Sequence, residues 1–130
     1  MKTICFLFCC LFLSNFLHVQ RNQYGNNSKA GKYYYVRGIK LYTEEYGKGE
    51  PLLLLHGNGG SISSMSEIIP YFSKRYRTIV LDSRAHGKSI DNGDSLSFEM
   101  MADDVAGLLD QMKIPSAYII GWSDGGIIAL

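Results

Sequence analysis

Beyond its tenth residue the chain has no cysteine: Cys5, Cys9 and Cys10 all stand at the start of the 130 residues. Disulfides, cysteine nucleophiles and thiolate-bound metals are therefore excluded downstream of them. A surplus of charge is missing too. Thirteen lysines and arginines meet twelve aspartates and glutamates, a formal net charge of +1, without a basic stripe or a long block of like charge. Neither a nucleic acid nor an acidic polymer is an indicated partner. A membrane-spanning run is also lacking. The apolar stretch Ile4 to Leu13 gives way to polar Ser14-Asn15, well short of the roughly 20 residues that a stable span needs.

That stretch follows Lys2, and a basic start with a short apolar run reads as a secretory signal peptide over residues 1–20. Export to a secreted or periplasmic location is the expectation, with removal at about His18–Arg21. No small-x-small pair marks a cleavage site between Ser14 and Arg21, so a membrane anchor made by the uncleaved leader is the alternative. Polar residues 21–32, with Asn26, Asn27, Ser28 and Gly31, read as a linker. Residues 33–130 then form one small, partial domain.

Within that domain, Tyr33-Tyr34-Tyr35-Val36 and Ile39 to Tyr46 read as two strands joined by a tight turn at Arg37-Gly38. Turn chemistry at Gly47 to Pro51 precedes Leu52-Leu53-Leu54-Leu55. A run apolar on both faces is what a buried parallel strand requires. It ends in His56-Gly57-Asn58-Gly59-Gly60, too rich in glycine for strand or helix. Met65, Ile68, Ile69 and Phe72 predict a helix over 63–72, interrupted by Pro70. Arg77 to Leu81 is a second buried strand, closed by Asp82-Ser83-Arg84-Ala85-His86-Gly87-Lys88-Ser89. Ser97 is an N-cap for a helix whose face carries Met100, Met101, Asp104, Val105, Leu108, Leu109 and Met112, a stripe suited to core packing. After Pro115, Ala117 to Ile120 is a third buried strand, leading into Gly121-Trp122-Ser123-Asp124-Gly125-Gly126 and a new helix. Strands alternating with helices imply right-handed crossovers and a mostly parallel sheet covered on both faces. The fold class is α/β.

In such a sheet the working loops follow the carboxyl ends of the strands. Three ordered motifs stand there, HGNGG at 56–60, DSRAHGKS at 82–89 and GWSDGG at 121–126. Together they resemble the first half of the α/β-hydrolase family, over about Tyr33 to Leu130. The resemblance implies a nucleophile elbow at Gly121-Trp122-Ser123-Asp124-Gly125, with a strained backbone that lifts the Ser123 hydroxyl into the site. It also implies an oxyanion hole from the backbone N–H groups of Asn58 and Asp124. In this family His56 shapes the oxyanion turn, and the loop with Arg84 and His86 packs beside the elbow, so none of these three is assigned as catalytic. Relatives that open epoxides carry aspartate at the elbow. A serine there points to acyl transfer on an ester-type small molecule, with neither cofactor nor metal.

A serine needs a histidine to take its proton and a carboxylate to orient that histidine. In this family both follow the elbow, yet only seven residues follow Ser123. The expectation is an N-terminal half-fold that stops just after the elbow, with the elbow strand at an unprotected sheet edge. A non-catalytic remnant or interaction module of the same half-fold is the alternative. The run WSDGG at 122–126 is similar to the biphenyl hydrolase-like and valacyclovir-hydrolase type of the family. That likeness assigns Asp124 to the α-amino group of an aminoacyl ester. The plain reading of Asp124 is a carboxylate favoured by the dipole of the helix it begins.

Overall fold

Strands β1 (Gly31–Val36) and β2 (Ile39–Tyr46) pair antiparallel, with Val36 opposite Ile39. Arg37 and Gly38 between them have φ of 49° and 82°. Two consecutive positive values make the kind of turn whose twist matches the strands it joins. In this computed structural model the described residues are 23–93 and 95–130. The predicted signal peptide, and every cysteine with it, lies outside them.

Strands β3 (Pro51–Leu55), β4 (Arg77–Leu81) and β5 (Tyr118–Gly121) are mutually parallel, and the sheet runs β1-β2-β4-β3-β5 with β2 antiparallel to β4. Alternation sends Leu53, Leu55, Ile79 and Leu81 to one face, where Val105, Leu108, Ile114 and Ile128 cover them. Leu52, Leu54 and Val80 go to the other, against Tyr42, Ile62, Met65 and Ile69. Both faces are dry, which is why Leu52 to Leu55 form an unbroken apolar run. β5 stands at the sheet edge, as expected for the elbow strand, and is therefore not buried as its apolar run alone suggests. Only β3 pairs with it among the described residues, so Tyr118 and Ile119 stay 58% and 37% exposed.

The helix predicted over 63–72 is two short pieces, a 3-10 turn at Ile62–Met65 and α1 at Ile69–Phe72. Pro70 sits in the first turn of α1, where its missing N–H leaves no bond unmade. Ser64 Oγ takes the N–H of Ser61 and competes with a continuous ladder. Helix α2 (Phe98–Gln111) begins as predicted, with the Ser97 side chain accepting from the Met100 N–H at 3.1 Å. Substituting such a cap with alanine costs about 1 kcal/mol. The last helix is α3 (Asp124–Ile128).

Residues 23–30 pack as turns against the sheet. Their anchor is Glu44, fully buried on β2. One of its oxygens accepts from Asn27 N–H and Tyr42 O–H, the other from Gly25 N–H and Tyr46 O–H. Four donors on one carboxylate replace the water lost on burial. Burial first, then the hydrogen bond to Glu44 and after it the Glu44 charge, hold both tyrosine hydroxyls far above their ordinary pKa.

Candidate active site

Loops leaving β3, β4 and β5 converge at one end of the sheet. At the tip of β5, Ser123 has φ 52° and ψ −118°, left-handed backbone that a residue with a Cβ adopts only at a cost of about 1–3 kcal/mol. Close packing holds it there. A Cβ on Gly121 would lie 2.2 Å from the Gly125 carbonyl, and one on Gly125 would lie 2.3 Å from the Leu55 carbonyl. Both glycines let the elbow fold back on itself and on β3. Trp122 extends the pairing by donating its N–H to Leu55 O at 2.9 Å. The result is an exposed Ser123 side chain on a backbone fixed from both sides.

Gly125 and Gly126 donate their N–H groups to the carbonyls of Trp122 and Ser123. The N–H of Asp124 meets no acceptor among the described residues, and the same holds for that of Asn58. Gly57 brings the first loop against the elbow: a Cβ there would stand 3.1 Å from the Ser123 Cβ. Gly57, Asn58, Gly59, Gly60, Ser64, Trp122 and Ser123 line one open cleft. Asn58 and Ser123 thus share one cleft, and Asp124 follows Ser123 directly in the chain.

Both histidines beside this cleft have their ring nitrogens engaged. His56 is buried; Nδ1 lies 2.7 Å from the Gly57 carbonyl and Nε2 accepts the Ser83 N–H at 3.0 Å. A carbonyl can only accept, so the proton is on Nδ1. Burial lowers the His56 pKa, an effect the Gly57 carbonyl partly opposes and the nearby His86 reinforces. His56 therefore ties the first loop to the second as a neutral link. His86 follows the same logic, with Nδ1 donating to Arg84 O at 2.8 Å and Nε2 accepting from Gly59 N–H at 3.1 Å.

The second loop is built around Asp82, whose carboxylate accepts from Ile62 N–H at 2.7 Å and Lys88 N–H at 2.8 Å. Gly87, with φ 52°, is obligatory beside it, since a Cβ would strike that carboxylate at 2.2 Å. Ser89 Oγ donates to the Asp82 carbonyl and accepts from Tyr42 N–H. Arg84 turns inward to Asp104 of α2 in a two-pronged pair, both contacts 2.7 Å and both residues 2% exposed. Sequence reasoning placed Asp104 on a packing stripe and missed this pair. A carboxylate in the middle of an apolar helical face was the available signal.

Asp124 is half-buried on a second cleft of about 330 Å³ with Asn58, His86, Leu96, Ser97, Phe98, Glu99 and Met101. Among the described residues no group of His, Cys, Asp and Glu side chains is arranged to hold a metal ion, and no helix is long and apolar enough to cross a membrane.

Residues 50–130 match the profile of the alpha/beta hydrolase fold family. The magnesium-chelatase 30 kDa subunit of Rhodobacter capsulatus is 42% identical over 83 residues, 63% of this chain and 29% of that protein. The pimeloyl-[acyl-carrier protein] methyl ester esterase of Aeromonas hydrophila is 33% identical over 92 residues, 70% of this chain and 35% of that protein. Among solved structures, the epoxide hydrolase CorEH superposes with a TM-score of 0.73 at 27% identity, covering 76% of this chain and 35% of its own. The chain spans about a third of the length of these proteins.

Proposed function

Because this chain belongs to the α/β hydrolase fold family, we propose that it carries the nucleophile and oxyanion donors of a serine hydrolase of carboxylic esters or related acyl compounds. The carrying observation is the strained Ser123, in one cleft with Asn58 and directly before Asp124, the N–H groups of these two meeting no acceptor among the described residues. In this reading Ser123 Oγ attacks the substrate carbonyl carbon. The carbonyl oxygen, now negative, takes the two N–H bonds. Collapse expels the alcohol and leaves an acyl-serine, which water cleaves. Each such donor supports the transition state by about 2.7–4 kcal/mol.

The attacking hydroxyl must lose its proton. The unshared pairs of His56 and His86 are already taken by Ser83 and Gly59, so the reading assigns the base to neither of them. Serine at the elbow favours an ester over an epoxide, despite the likeness to CorEH, because epoxide-opening relatives use aspartate there. The finer reading gives Asp124 the α-amino group of an aminoacyl ester, as its place on the second cleft allows. Lys2 and the apolar run after it support an exported location.

The test is turnover by the intact protein of a simple acyl ester and of an epoxide, each against Ser123→Ala. Ester hydrolysis lost in Ser123→Ala supports the reading; a folded protein with neither activity favours the non-catalytic module. For Asp124, kcat/KM for an aminoacyl ester is compared with its des-amino analogue in the parent and in Asp124→Asn. A preference of about 30-fold or more that Asp124→Asn abolishes is expected. No preference in the parent leaves Asp124 as a helix-start residue.

A further inference from the structure

The loop that carries the Asn58 N–H is held from outside by one side chain. His86 Nε2 accepts the N–H of Gly59, the next residue, at 3.1 Å, and the same nitrogen lies 3.3 Å from Asn58 Oδ1. The Arg84 carbonyl fixes the ring by accepting from Nδ1 at 2.8 Å, so in the neutral imidazole Nε2 has a lone pair and no proton. That lone pair suits Gly59 and faces the Asn58 oxygen as one acceptor faces another. Protonation reverses both contacts. Nε2–H then confronts the Gly59 N–H, donor against donor, and can donate to Asn58 Oδ1.

We propose that His86 is the positioning residue of the oxyanion loop, its neutral form holding the loop through the Gly59 N–H and its protonated form exchanging that bond for one to Asn58 Oδ1, which shifts the Asn58 N–H. This rests on the reading of Asn58 as an oxyanion donor, and it makes transition-state support dependent on the charge of a residue that neither attacks the carbonyl nor binds its oxygen. Other titratable and charged groups surround it. The His56 ring stands 5.1 Å away between centroids and is kept neutral by burial. The Asp124 and Glu99 carboxylates line a cleft with His86. The Arg84 guanidinium is turned away and neutralised by Asp104, and the Asp82 carboxylate is occupied by Ile62 and Lys88. Lys88 holds its ammonium over the Tyr42 ring, 4.8 Å from the centroid.

Two readouts on the intact protein test this. The first is NMR, independent of activity: the Gly59 amide proton should shift with the same midpoint as the His86 ring, with the proton on Nδ1 above it. The second is the rate at which a fluorophosphonate phosphonylates Ser123, with loss of fluoride, across pH 5–8 in the parent, His86→Phe and His86→Gln. Phenylalanine keeps the ring's bulk without an acceptor and should lower the rate about tenfold or more, the scale of a small misplacement of a donor. Glutamine supplies an acceptor that does not titrate. It should recover most of that loss and remove the part of the acid-side decline that tracks His86. A Gly59 amide blind to the His86 titration, or His86→Phe labelled at the parental rate, overturns the proposal. Should His86→Phe fail to fold, the NMR titration and His86→Gln decide. A parent with the Gly59–His86 linkage intact but no labelling at any pH refutes the acyl-transfer reading while supporting the coupling.

Discussion

Breaking the Arg84–Asp104 pair tests whether the second loop depends on its buried charge pair with α2. Both residues are 2% exposed and meet through two contacts of 2.7 Å. Removing one partner of such a pair strands the other in a dry site, at about 3–5 kcal/mol. The two single variants should differ. Without Asp104, Arg84 keeps Asn92 at 3.3 Å and Asp91 at 3.6 Å, so Asp104→Leu belongs at the lower end, about 3 kcal/mol. Without Arg84, Asp104 keeps, among the described residues, Arg37 at 3.5 Å, itself half-exposed, so Arg84→Met belongs near about 5 kcal/mol. The double variant replaces both charges with apolar groups of similar size and should recover most of the loss. Urea denaturation of the intact protein at pH 7 gives the four free energies and the coupling term. A coupling below about 0.5 kcal/mol, the additivity error of distant sites, would refute the claim that the pair acts as a unit.

Glu44→Gln should loosen residues 23–30, because Gly25 and Asn27 address opposite oxygens and an amide can accept from only one of them. A loss of about 1–3 kcal/mol is expected, with faster amide exchange at Gly25 or Asn27; unchanged exchange at both counts against the anchor. Burial puts the folded pKa of His56 below its unfolded value of 6.5. The unfolded state then binds more protons just below that pH, so stability should fall as pH drops from about 6.5 toward the folded pKa. The urea midpoint between pH 7 and 5 measures this, and His56→Gln should flatten the slope; an equal slope in both proteins refutes it. Gly125→Ala should cost about 1–3 kcal/mol, since its methyl meets the Leu55 carbonyl at 2.3 Å and must push the elbow off β3; an unchanged melting temperature would contradict that packing.

The three motifs were legible because each is set by backbone demands that few residues meet. Gly121, Gly125 and Gly87 stand where a Cβ would collide with backbone or carboxylate, and the leucine run declares a strand covered on both faces. Pairings between distant side chains were not legible. Glu44 with Gly25 and Asn27, Arg84 with Asp104, and His86 with Gly59 join residues 17 to 27 positions apart. No period or spacing relates such partners. The break between the 3-10 turn and α1 escaped because Met65, Ile68, Ile69 and Phe72 are apolar in either conformation. They pack on the same side of the sheet however the segment is wound.

The central claim is that Ser123 is a nucleophile, and a covalent trap tests it most directly. The intact protein is treated with a fluorophosphonate, digested, and the adduct mapped by mass spectrometry. The account predicts one stoichiometric adduct on Ser123, absent from Ser123→Ala and from protein unfolded in urea before treatment. A folded protein left unmodified at Ser123, or modified on another side chain while Ser123 stays free, would contradict it.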